Sequence, residues 1–212
     1  MILSPLVLSA KEPLLNSKTR RVFEHPEDHR LLVKVHISRK STASLGGIRA
    51  WLANRQDHFL YTTGIMRELQ QFVESRYKDY GDIVAHIAPI YGVIDTDLGL
   101  GLIVAAVRDN RGHLAPTVRR LFRDNAMNPE RCAKLDRLLG AILETPLVIG
   151  DLNQENIVLE DAGGANERFM IIDGLGERTW IPTQRWLAFV GARQKRQFVA
   201  KVRARLEKVA HA

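Results

Sequence analysis

Asp151, Asn156 and Asp173 have the types and spacing that could do chemistry. Asp151 and Asn156 form the pattern Asp-x-x-x-x-Asn, and Asp173-Gly174 follows after a short segment. That segment holds two apolar runs, Ile157 to Leu159 and Phe169 to Ile172, around the turn-forming Asp161-Ala-Gly-Gly-Ala-Asn166. This is the pattern of a β-hairpin, whose two polar ends lie side by side and bring the three residues to one spot. Two hard oxygen ligands and a third carboxylate suit magnesium with a phosphate, because the ion takes oxygen ligands and keeps part of its shell for water and phosphate oxygens. The alternative is a surface hairpin whose Asp and Asn residues only make turns.

The elements that must position such a site can be read in order. Pro5 to Leu8 and Thr19 to Phe23 are expected as short strands, joined by a connection in which Leu15, Asn16 and Ser17 stand at the turn. Arg30 to Ile37 alternates, with Leu31, Val33, Val35 and Ile37 on one face and Leu32, Lys34 and His36 on the other. Lys34 is then a single ammonium in an apolar strand, or a lysine that snorkels from a solvated face. A polar connection, Ser38 to Gly47, precedes a short helix around Trp51. The next helix begins near Thr63 as N-cap and carries Ile65, Leu69, Phe72 and Arg76 at helical spacing, with Glu68 at the edge of that face. Ile83 to Tyr91 and Leu100 to Val107 read as strands. Asn128-Pro129 caps a helix with Leu135, Leu138 and Ile142 turned inward, ending before Pro146. The sum is an α+β chain.

The spacing Asp151-x-x-x-x-Asn156, followed after a hairpin by Asp173-Gly174, resembles the catalytic loop and metal-binding turn of the protein-kinase and aminoglycoside-kinase fold. The resemblance implies that Asp151 is the catalytic carboxylate and that Asn156 and Asp173 hold metal ions. It makes Leu31-Leu32-Val33-Lys34 the counterpart of the strand whose lysine pairs with phosphate, and Glu68 the partner that orients Lys34. The first connection becomes the loop over the phosphates. It contains no glycine, and Lys18, Arg20 and Arg21 supply charge there instead. Two further departures are Ile149 in place of the usual His and Gly174-Leu175 in place of Phe-Gly. ATP and magnesium are the implied cofactors. The implied architecture is a two-lobed protein-kinase-like fold with a truncated C-terminal lobe, residues 1–107 and 108–212.

A second resemblance rests on phrases: Leu8-Ser9, Pro13-Leu14, His25-Pro-Glu-Asp28, Arg67-Glu68-Leu69, Thr96-Asp97-Leu-Gly99, Asn156-Ile157, Gly176-Glu177 and Ile181-Pro182. In these the chain is similar to the YrbL family, named for the PhoP regulatory network of bacteria. Membership implies a cytoplasmic bacterial protein associated with the magnesium and envelope-stress response.

Composition bounds what else the protein can be. No stretch reaches the eighteen or so apolar residues of a membrane span, and the opening segment lacks a basic n-region, so a cytoplasmic location is expected. The one cysteine, Cys132, fits a reducing compartment. Formal net charge is +7, and the residues from Arg185 onward, with eight Lys or Arg and one Glu, carry all of it. There Phe198, Val199, Val202, Leu206 and Val209 recur at helical spacing, so the segment reads as a basic amphipathic helix. Its apolar stripe either docks on the second lobe or engages an anionic partner. Three functions follow: a phosphotransferase acting on a small molecule or a dedicated protein, a pseudokinase or regulatory scaffold with weak or no nucleotide binding, and a module binding nucleic acid or membrane through the basic tail.

Overall fold

The computed structural model describes residues 5–17, 20–37, 63–176 and 188–210. Lys18, the polar connection after Ile37, the helix expected around Trp51, and Arg185 lie outside the described residues. The chain is mixed α+β and divides into two compact units.

The first unit, Met1–Leu69 with Pro89–Ala106 and Arg178–Ile181, is built on five antiparallel strands. They are β1 (Leu15–Asn16), β2 (Arg20–Glu24), β3 (Leu31–His36), β4 (Ile90–Thr96) and β5 (Gly99–Ala105), in the order β1-β2-β3-β5-β4. Register follows the alternation of β3: Val33 lies between Phe23 and Ile103, and Lys34 between Val22 and Leu102. Leu8, Phe23, Val33 and Val35 form a core cluster on one face, each no more than 1% exposed. The other face is buried as well, since Leu32, Lys34 and His36 are all below 10% exposure.

Pro5 to Leu8 is not a strand. Only Leu6 bridges, in parallel, to Thr96, and Leu6 N donates to Asp95 O at 3.0 Å. The rest of that segment is fixed by a side chain, because the Asp97 carboxylate accepts from Leu8 N at 2.7 Å and from Ser9 N at 3.1 Å. The first turn also moves, since Leu15 and Asn16 pair with Val22 and Arg21, and Ser17 N closes onto Arg20 O at 2.9 Å.

The second unit, Gln70–Ala88, Val107–Glu177 and Pro182–Ala212, is mainly helical. Helix α1, residues 63–77, gives its last eight residues to this unit; Thr63, read as its cap, is already helical. Ile83 to Tyr91 is not a strand: Gly81–His86 is a 3-10 helix and β4 starts only at Ile90. A short apolar run fits either periodicity, and here Ile83 and Ile87, four apart, are both buried. Gly81 N donates to Asp79 Oδ1 at 3.3 Å, a local turn that starts the 3-10 segment.

Helix α2 (Val118–Arg123) is capped by Thr117, whose side chain accepts from Arg120 N. Helix α3 (Pro129–Glu144) is capped by Asn128 Oδ1, which accepts from Arg131 N at 2.8 Å, and Pro129 occupies its first turn. Leu135, Leu138, Leu139 and Ile142 are fully buried along one face of it. Strands β6 (Ile157–Glu160) and β7 (Arg168–Ile171) form the expected hairpin.

Helix α4 (Ala188–Ala210) buries Val199, Val202 and Leu206 and packs on α3. Three of its cations hold it there. Lys195 Nζ donates to Thr145 O at 2.7 Å, Arg203 bonds Asp136 at 2.7 Å, and Arg205 lies 4.2 Å over the Phe122 ring while donating to Gln154. Burial lowers Lys195 to about 8 from 10.5. The fold therefore favours the neutral amine, and between those values the unfolded chain binds the extra proton. Stability contributed at this site is flat below pH 8 and rises as pH climbs toward 10.5. Urea titrations of the parent and Lys195→Met at pH 7, 8.5 and 10 are expected to show the parent gaining on the variant as pH rises; a constant difference would contradict the burial of a charged amine.

Candidate functional site

In the first unit the sequence-selected Lys34 and Glu68 meet. Lys34 Nζ donates to Glu68 Oε1 at 2.8 Å, and the two side chains are 7% and 4% exposed. A lysine snorkelling from a solvated face is thereby excluded. The other carboxylate oxygen, Glu68 Oε2, lies 3.2 Å from Arg20 NH1, and Arg20 NH2 lies 3.2 Å from His36 Nε2. Arg20, expected to add charge for phosphate, instead joins β2 to α1 through Glu68. Gly64, one turn before Glu68, lets the His36 ring sit against the helix, since a Cβ there would fall 2.7 Å from Nε2.

Sequence reasoning missed this wider cluster, although the signal was present. Arg20 stands directly opposite His36 in the ladder, so period two places Arg20, His36 and Lys34 on one face.

In the second unit Asp151, Asn156 and Asp173 come together through backbone contacts. Gly150 N donates to Gly176 O at 3.0 Å, Gly176 N to Val148 O at 2.9 Å, and Asp151 N to Gly174 O at 3.3 Å. Ile149, where a His was expected from the kinase pattern, is buried in this ladder. Ile172 N donates to Asn156 O at 3.0 Å, which fixes the end of the hairpin next to the loop. Within the loop, Asn153 Oδ1 accepts from the backbone N–H of Glu155 at 2.8 Å and of Asn156 at 3.1 Å. Asn156 Nδ2 donates to Asp151 O at 2.8 Å, which leaves Oδ1 as the end able to ligate. Asp173 Oδ1 accepts from Gly174 N at 2.6 Å.

Gly174 has φ +90, and a Cβ on it would stand 2.7 Å from Asp151 O. Only glycine permits both the left-handed backbone and the close approach.

All three side chains are half-buried, so each keeps a route to solvent. Two carboxylates and an amide oxygen fit magnesium, which takes a few protein oxygens and fills the remaining positions with water and phosphate. Among the described residues no group of three or more His, Cys, Asp and Glu is placed to hold a metal ion. A cavity of about 870 Å³ in this unit is lined by Tyr80, His86, Arg137, Gly140 and Phe169 among others. None of the candidate residues borders it.

Residues 6–207 match the family of the PhoP regulatory network protein YrbL. The chain belongs to the YrbL family. YrbL of Escherichia coli (strain K12) and YrbL of Shigella flexneri are each 25% identical to it over 185 residues, covering 84% of this chain and 77% of theirs. Two of the phrases that carried the family resemblance touch in the fold, since Asp97 of Thr96-Asp97-Leu-Gly99 holds the backbone of Leu8-Ser9. Among the described residues no helix is long and apolar enough to cross a membrane.

Removing one partner of a buried ion pair leaves a desolvated charge, at a cost of about 3 to 5 kcal/mol. Glu68→Gln removes the carboxylate shared by Lys34 and Arg20, whereas Lys34→Met leaves Glu68 bonded to Arg20. Denaturant titration is expected to show the larger loss for Glu68→Gln. Equal losses would mean that Arg20 contributes nothing to the cluster.

Proposed function

We propose that this protein is a kinase-like phosphotransferase using ATP and magnesium, with a small-molecule or dedicated protein acceptor. In this reading it adopts the two-lobed protein-kinase-like fold with a truncated second lobe, residues 1–107 and 108–212, and works in the cytoplasm within a PhoP-type response to magnesium or envelope stress. The observation that carries it is the buried Lys34–Glu68 bond at 2.8 Å, because a lysine held by a helix carboxylate is the device that such enzymes use on phosphates.

Lys34 pairs with phosphate oxygens, and Glu68 fixes the lysine's position. Asn156 and Asp173 hold the metal. Magnesium, when bound, neutralises phosphate charge and favours displacement at phosphorus. Asp151 accepts the proton of the acceptor hydroxyl. Lys18 would add its charge to the binding of the phosphates.

A second reading, a pseudokinase or regulatory scaffold with weak or no nucleotide binding, draws support from the same cluster. Glu68 is shared with Arg20, and Leu15 and Asn16 are tied into a strand where a glycine-rich loop would bring free amides to phosphate.

Nucleotide at a hundred times its dissociation constant adds about 2.7 kcal/mol, roughly 5 to 10 °C of melting temperature for a chain of this size. ATP with magnesium is expected to give that rise in the parent, and Lys34→Ala and Asp173→Asn to lose it. Asp151→Asn is expected to keep the rise while abolishing phosphate transfer or ATP hydrolysis. A parent that shows no shift at millimolar nucleotide contradicts both the enzyme and any nucleotide-binding scaffold; a parent that binds but never turns over leaves the scaffold.

A further inference from the structure

The chain's entire excess of positive charge lies from Arg185 onward, and the docking of α4 divides its cations into two sets. Of the seven Lys and Arg in Ala188–Ala210, Lys195, Arg203 and Arg205 hold the helix to α3, Gln154 and the Phe122 ring. Arg193, Arg196, Lys201 and Lys208 do not. All four are exposed, and none has a hydrogen bond or ion pair among the described residues.

At 100° per residue the four cations fall within an arc of about 140°, centred opposite Val199, Val202 and Leu206. Along the axis they span about 22 Å at 1.5 Å per residue. The positions between them are Gln197, Ala200, Ala204 and the exposed Glu207, so short or polar side chains let a ligand come close to the helix and one carboxylate offsets part of the charge on this face. Glu207 is the single acid on the helix.

We propose that this outward face binds the phosphate backbone of nucleic acid, without regard to sequence. The proposal is independent of the phosphotransferase reading. A rigid row of cations with nothing to read base edges is the equipment for phosphate contacts, which position a protein on nucleic acid and carry no sequence information. An anionic bilayer fits less well. A membrane-surface helix binds through an apolar face sunk among the lipids, and the apolar stripe of α4 is already buried against α3.

The charge term has a quantitative signature. Each phosphate contact contributes about −0.9 to the slope of log K against log salt on duplex DNA and about −0.7 on single strands. Four contacts give slopes of about −3.6 and −2.8, so duplex affinity falls roughly a hundredfold between 50 and 200 mM salt.

The test measures binding of the full chain to a mixed-sequence duplex of ~20 base pairs and to a single strand of the same length by fluorescence anisotropy across that salt range. Three proteins are compared: the parent, a variant with Arg193, Arg196, Lys201 and Lys208 all changed to Gln, and a charge-keeping variant with Arg193→Lys and Arg196→Lys. The expected result is a parent slope near those values, loss of binding in the Gln variant with melting temperature unchanged, and retention within about threefold in the Lys variant, because the contacts are to charge. Vesicles containing phosphatidylserine serve as the competing surface. A parent that ignores nucleic acid at 50 mM salt, a Gln variant that binds as well as the parent, or binding confined to the vesicles would overturn the proposal.

Discussion

One carboxylate organises the first unit. Glu68 stands on a helix, Lys34 at the centre of a strand buried on both faces and Arg20 on the neighbouring strand, and their charges meet at Oε1 and Oε2. A hydrophobic contact in this place would hold the helix as firmly, since buried ion pairs gain little net stability over apolar isosteres. What the ion pair adds is position. Each cation must find its own oxygen, so the helix can neither rotate nor slide without leaving a desolvated charge, and the ammonium of Lys34 is fixed in direction as well as in place. His36, set against Gly64, closes the same arrangement from the side.

The second unit reaches comparable definition by different means. Its three polar residues are held through peptide groups: the short ladder of Val148 to Asp151 with Gly174 to Gly176, the side-chain bond from Asn156 to Asp151 O, and the turn made by Asn153. The backbone thus keeps the three residues adjacent.

Long-range order in the sequence was legible where local chemistry was unambiguous. Asn128-Pro129 announced α3 because a cap and a first-turn proline are specific signals, and the hairpin of β6 and β7 was read from two apolar runs around a cluster of turn residues. The union of Asp151, Asn156 and Asp173 followed from that hairpin. Ile83 to Ala88 was misread because six or so apolar residues satisfy a strand and a tight helix alike, and only the fold chooses. Helix α2, six residues long, is too short to show a period. Pro5 to Leu8 looked like a strand, and its shape in fact comes from a carboxylate some ninety residues away, which no local pattern can disclose. Arg20 was placed on phosphate because charge near a loop suggests a ligand; its register with His36 pointed the other way.

The bridge between Leu6 and Thr96 has a consequence for synthesis. Strand β4 is an outer strand of the sheet among the described residues, and the segment around Leu6 pairs with part of its rim, through Leu6 N to Asp95 O and Asp97 N to Leu6 O. Residues 6 to 9 leave the ribosome well before their partners, which follow about ninety positions later, a delay of roughly 5 to 20 s at 5 to 20 residues per second. During that interval the early segment has no mate, and once β4 emerges its rim is a template for any extended chain nearby. Correct closure then depends on the tethered segment outrunning a neighbouring polypeptide, a race that crowded polysomes make harder and that Asp97, by catching two amides at once, helps the native partner win.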